Sequence, residues 1–226
     1  MCFTPAISLT TAIIEFLLAT IILSLFPKTT FKNFFAIFIY FLGFYQFTEF
    51  MLCTTNYSAL WAVIGFITYS FLPAIGMHAA LKFSKRKFKP IFLYIVPILA
   101  GISAIILPNF IQISRCEKYF VTVISIFTNS TNLLYLIPYF IYLMYYASFI
   151  IASCIIAYLY SRSVKDKNAK NLIYVLIVGI LLMSLPTFIL IMLLPQFGMQ
   201  FPSVLCEFAL LLAICAFIGA YLETKI

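Results

Sequence analysis

Seven long apolar runs occupy most of this chain and leave few folds open to it: Pro5–Phe26, Phe34–Leu52, Ala59–Leu81, Pro90–Leu107, Leu134–Tyr160, Asn171–Leu194 and Phe201–Leu222. Each is close to the roughly 20 residues an α-helix needs to cross the hydrocarbon of a bilayer. Such runs are too long for strands, and an open sheet would leave unpaired backbone groups in lipid. Hydrophobic residues make up 65% of the 226 and charged residues only 9%, where a soluble domain carries about 25% charged. That much apolar surface needs the lipid bilayer as its solvent. The expectation is an all-α membrane protein: one domain over 1–226, a seven-transmembrane helix bundle, in the plasma (cytoplasmic) membrane.

Charge sorts the connections into two sets. One set holds Lys28, Lys32, Lys82, Lys85, Arg86, Lys87, Lys89, Arg162, Lys165, Lys167, Lys170 and Lys225; the other holds only Arg115 and Lys118. Basic loops stay cytoplasmic, so the N-terminus is expected outside and the C-terminus inside. The net charge of +8 is therefore read as membrane orientation and attraction to anionic lipid heads, not as nucleic-acid binding. The first run reads as a retained helix, because no basic residue precedes it and Glu15 interrupts it.

One outer connection, Pro108–Leu133, stands apart. Phe110–Ser114 and Tyr119–Ile124 alternate in β-rich residues around the charged turn Arg115-Cys116-Glu117-Lys118, which predicts a hairpin. It would either lie over the mouth of the bundle as a lid or simply rest on the helix ends.

Topology also sorts the cysteines. Cys2, Cys53, Cys116 and Cys206 fall near the outer face, and Cys154 and Cys215 in the inner halves of their helices. Spacing alone does not fix connectivity. The pairings favoured are Cys2–Cys206, joining the first and last helices, and Cys53–Cys116, tying the hairpin to the loop between the second and third; free buried thiols are the alternative. Asn56-Tyr57-Ser58 and Asn129-Ser130-Thr131 match the common glycosylation pattern on that same side.

Ionisable groups within a span are costly and are functional candidates by default. There are four. Glu15 falls near mid-membrane, Glu49 and Glu207 one to two turns below the outer surface, and His78 near the inner end of the third run. Glu49 and Glu207, with Gln46 one turn from Glu49, would line one outer site for a cationic or hydrogen-bonding ligand; two close carboxylates also resist ionising together. The plainer reading is that each glutamate reaches the interface. His78, the single histidine, is expected to be a hydrogen-bonded structural residue, since a zinc site needs about three or four protein ligands. Tyr135, Tyr139, Tyr142 and Tyr146 share a helix face at spacings of 4, 3 and 4, fit for aromatic packing or for a wet relay of hydroxyls. Cys206, Ala209, Ala213, Ala216 and Ala220 form a small-residue stripe suited to close helix approach. Pro73, Pro97, Pro138 and Pro186 fall inside predicted helices.

No lysine lies mid-span to carry retinal, one histidine cannot build the site of a seven-helix zinc hydrolase, and no Walker, His-Glu-x-x-His or Gly-x-Ser-x-Gly motif occurs. The chain is therefore expected not to be an enzyme and to need no cofactor or metal.

The opening Met1-Cys2-Phe3-Thr4-Pro5-Ala6-Ile7-Ser8, with Gln46-Phe47-Thr48-Glu49 and Leu205-Cys206, resembles a group of uncharacterised short seven-helix membrane proteins. Those begin Met-Cys-(Phe/Trp)-Ser and carry a Gln-Gln-x-x-Glu-like motif and a Trp-Cys-like pair. Thr4, Tyr45 and Leu205 depart from that pattern. The resemblance implies that Cys2, Gln46, Glu49 and Cys206 belong to one outer site. In helix order and outer hairpin the chain also resembles the seven-helix sensor region of histidine kinases. Three functions follow as expectations: a receptor-like or sensor-like protein binding a small-molecule ligand outside and signalling through a separate partner at the inner face; a small solute transporter or proton-coupled carrier using Glu15; or a structural or assembly protein.

Overall fold

In a computed structural model, residues 5–29, 31–86, 88–116, 121–129, 132–193 and 201–225 are described. The order is α1 (Pro5–Leu25), α2 (Lys32–Thr54), α3 (Ser58–Phe83), α4 (Ile91–Ile106), β1 (Ile111–Cys116), β2 (Val121–Ser125), α5 (Ile126–Asn129), α6 (Leu133–Ser163), α7 (Lys167–Leu193) and α8 (Phe201–Glu223). Every predicted run is a helix, with ends shifted by a few residues. Pro73, Pro97, Pro138 and Pro186 lie inside α3, α4, α6 and α7.

Five helical stretches are long and apolar enough to cross a membrane: Pro5–Leu25, Lys32–Thr54, Ser58–Phe83, Leu133–Ser163 and Lys167–Pro186. They make the chain an integral, multi-pass membrane protein. The apolar stretch Ile91–Ile106 is shorter. The 16 residues of α4 reach about 24 Å at about 1.5 Å each, short of the roughly 30 Å hydrocarbon core. Prolines set this limit. Pro90 precedes the first turn, and Leu107, just before Pro108, is extended at ψ 122, as a residue preceding proline prefers.

The outward faces are as apolar as the core. Phe92, Ile106, Leu134 and Phe140 are all more than 60% exposed, which suits lipid and would drive association in water. Hydroxyls are made compatible with that medium locally. Thr10, Thr20, Thr68, Ser103 and Ser184 each donate to the carbonyl four residues back, so these donors are not left bare in lipid.

Helices α1, α2 and α3 pack in sequence, α6 joins α3, and α8 packs on α7, α2 and α1. The stripe Ala209, Ala213, Ala216 and Ala220 is fully internal, at most 3% exposed. It lets α7 approach closely: a Cβ added at Gly179 would lie 2.7 Å from Cys215 Cβ.

The two ends of the bundle differ in chemistry. At one end the basic connections converge. Glu223 of α8 accepts from Thr29 Oγ1 (2.6 Å) and from the Phe31 amide (2.8 Å) of the α1–α2 loop. Phe31 stacks on Phe83 at 3.6 Å, and Asn168 Nδ2 donates to the Lys225 carbonyl. At the other end sits the predicted hairpin. β1 and β2 pair antiparallel from Cys116↔Val121 to Ile111↔Ser125, with a bulge between Ile111 and Ile113. Its root is driven into the bundle by Phe110, whose ring lies 5.0 Å from Phe66. Ser114 Oγ donates to Ser58 Oγ at 2.9 Å, and the Cys53–Cys116 disulfide is formed. The pairing Cys2–Cys206 lies outside the described residues. Cys154 and Cys215 are free thiols.

Because apolar contacts of Ile111, Val121 and Val123 with Leu52, Trp61 and Ala62 also hold the hairpin, Cys116→Ser should loosen it without unfolding the helices. Limited proteolysis is expected to cut within 111–125 several times faster in the variant. Unchanged cleavage would mean that the apolar contacts suffice.

Candidate functional site

Little more than one turn of α2 near the hairpin end, residues 45–49, is polar on its inner face where packing alone would want aliphatic side chains. Tyr45, Gln46, Thr48 and Glu49 are 8%, 1%, 2% and 4% exposed. Glu49 lies five residues before the end of α2 at Thr54, about 7.5 Å down at about 1.5 Å per residue. The spacing of four puts Tyr45 directly beneath it, and the Tyr45 hydroxyl donates to Glu49 Oε1 at 2.9 Å. Thr48 Oγ1 donates to the Tyr45 carbonyl at 2.7 Å. Gly65 of α3 admits this group: a Cβ there would meet Thr48 Oγ1 at 2.8 Å. The disulfided Cys53 follows Glu49 by one turn, so the hairpin is fastened directly above the carboxylate.

A second polar group continues toward mid-bundle. Tyr45 meets Tyr69 edge to face at 5.6 Å. The Tyr142 hydroxyl interacts with Tyr69 and is 2.9 Å from Ser70 Oγ, while Tyr145 donates to the Ser70 carbonyl at 2.8 Å. Pro73 lacks the amide that would bond the Tyr69 carbonyl, so α3 is loosened where these hydroxyls gather. Tyr142 and Tyr146 of the predicted stripe are buried, and Tyr135 and Tyr139 are half-buried. Sequence alone gives Tyr145 and Ser70 no role and names Tyr45 and Thr48 only within the motif resemblance. The Tyr45–Glu49 spacing was the available signal; nothing local marks Ser70, whose partner lies 72 positions away.

Glu15 is placed differently. The buried face of α1 is Ser8, Ala12, Glu15, Ala19 and Ile22, a strict 4-3-4-3 spacing with the carboxylate at its centre. Glu15 is 0% exposed and its Cβ packs against Gly43 of α2. Among the described residues neither of its oxygens has a hydrogen-bond partner. Burying such a group uncompensated is costly. Glu15 and Glu49 are thus both buried, at different depths. Glu207 lies in the first turns of α8 at the hairpin end, but its side chain, like that of Cys206, is outside the described residues.

His78, near the basic end of α3, is hydrogen-bonded as expected: Nδ1 is 2.9 Å from the Tyr94 hydroxyl, with Phe34 and Phe88 edge-on to the ring. Among the described residues no group of three or more His, Cys, Asp or Glu could hold a metal ion.

A cleft opens at the opposite end from the hairpin. It encloses about 760 Å³, open space at its mouth included, between the basic-end halves of α2, α3, α6 and α7 and the middle of α8. No sequence motif announced it, although small residues at positions 76, 79, 80, 157 and 216 all face it. Comparison of the chain with protein-family models, with curated proteins and with solved structures gives no match.

Proposed function

We propose that this chain is a seven-span, receptor-like protein of the plasma membrane, with the hairpin end outside and the basic end inside, binding a small cationic or hydrogen-bonding ligand beneath the hairpin. The observation that carries this reading is the buried polar face Tyr45-Gln46-Thr48-Glu49, seated one turn below a disulfide-fastened hairpin. Binding sites are mostly apolar enclosures with a few convergent polar groups, and a carboxylate within a span is functional by default. The short α4 would cross by local bilayer thinning, which costs little, and the 23 residues of α8 are length enough to span. The Met-Cys-(Phe/Trp)-Ser resemblance supports the same outer site, with Cys2 and Cys206 beside it and Glu207 as the second carboxylate. A separate signalling partner would meet the basic inner face.

A melting screen of small organic cations tests this. A ligand at 100 times its Kd stabilises by about 2.7 kcal/mol, so a true ligand gives a clear upward shift. In Glu49→Gln, with an unchanged unliganded melt, that shift is expected to vanish, with affinity down at least tenfold. An equal shift in Glu49→Gln would remove the outer site.

A second reading, a proton-coupled or cation-coupled carrier, is favoured by one observation. Glu15 is fully buried, halfway along α1, and its carboxyl oxygens lack hydrogen-bond partners among the described residues. It requires solute flux in liposomes that Glu15→Gln abolishes.

A further inference from the structure

The cleft at the basic end differs from the polar site in every chemical respect. Its walls are aliphatic and aromatic, from Phe34 and Phe38 of α2 through Gly76 and Ala80 of α3 to Ala157 and Ile177 of α6 and α7. The hydroxyl of Ser153 is already engaged by the Phe149 carbonyl at 2.6 Å, so it offers a ligand little. The space beside one wall residue is open: a Cβ on Gly76 would meet no atom within 4 Å. About 90 Å³ of this space admits a water-sized sphere, several times the roughly 10–15 Å³ that one water needs. Five helices contribute its walls. Its rim is cationic. Lys82 is exposed and holds its Nζ 4.8 Å from the ring of Phe34, itself part of the wall. The two acids at this end are engaged elsewhere, Glu223 by Thr29 and Phe31 and Asp166 by the Ala169 amide.

We propose that this cleft holds an acyl chain of an anionic lipid from the adjoining leaflet, with its phosphate head at Lys82. Apolar walls recognise the chain, and the unneutralised cations of this end select the head. A zwitterionic lipid would fit the walls equally but not the rim.

The test is native mass spectrometry of the full chain released from nanodiscs of equal phosphatidylglycerol and phosphatidylcholine. The wild-type protein should keep one phosphatidylglycerol at least fivefold over phosphatidylcholine. Gly76→Phe, which fills the cleft, should cut retention at least tenfold, and Gly76→Ala should not. Lys82→Gln should still retain a lipid but bring the head-group ratio close to one. Should Gly76→Phe fail to fold, Ala79→Leu, one turn on in the same wall, carries the same expectation. Undiminished retention in the filled variant, no head-group preference in the wild type, or a second copy of the chain in place of lipid would each overturn the proposal.

Discussion

Glu15→Met is expected to raise the melting temperature while removing whatever activity the carboxylate serves. The substitution roughly conserves volume at a site with 0% exposure and removes two oxygens that have no hydrogen-bond partner among the described residues. A buried polar group without a partner costs about 1–3 kcal/mol, so a gain of that order should appear in a detergent melt. Glu15→Gln keeps a polar group in the same apolar stripe and should give no such gain. A residue that costs stability and is nevertheless present is explained by use, so the stabilised variant should also fail in ligand binding or solute flux. If Glu15→Met instead lost more than about 1 kcal/mol, the carboxyl would have a structural task and the carrier reading would fall.

Gly179→Leu should be the most damaging single change among the helix contacts. A Cβ at this position would lie 2.7 Å from Cys215 Cβ and 3.0 Å from Leu212 Cδ1. The Cys215 Cβ is fixed to its backbone and cannot swing away, so α8 itself must move. Overpacking costs typically about 1–3 kcal/mol and occasionally more; leucine here belongs at or above the upper end and alanine near the lower. Cys215→Gly should restore part of the loss in a Gly179→Ala background, because it removes the atom that is struck. Gly76→Ala, with nothing in reach, should be neutral or stabilising by roughly 0.5–1 kcal/mol. Indistinguishable melts for Gly179→Leu and the wild type would mean that α7 and α8 do not meet as described.

What the sequence disclosed and what it withheld divide along physical lines. Helix positions were legible because apolar runs and basic breaks are local, and the hairpin because alternation is local. The Cys53–Cys116 disulfide was legible because few cysteines share one end of the bundle. The pairing of Glu49 with Tyr45 was visible as a spacing of four, and the short reach of α4 follows from Pro90 and Pro108. The Ser70–Tyr142 contact and the cleft around Gly76 were not legible. They depend on how far apart α3, α6 and α7 stand, and that distance is set by every side chain between them at once.

The clasp of Glu223 on Thr29 and Phe31 has a consequence for biosynthesis. At about 5–20 residues per second, roughly 10–40 seconds separate the emergence of Phe31 from that of Glu223. Through that interval the loop after α1 must sit at the membrane surface with its amide bonded to water. This end of the bundle is shut only when α8 returns to the loop after α1. Chains released before that moment would lack the clasp, and so would show membrane quality control an unfinished end.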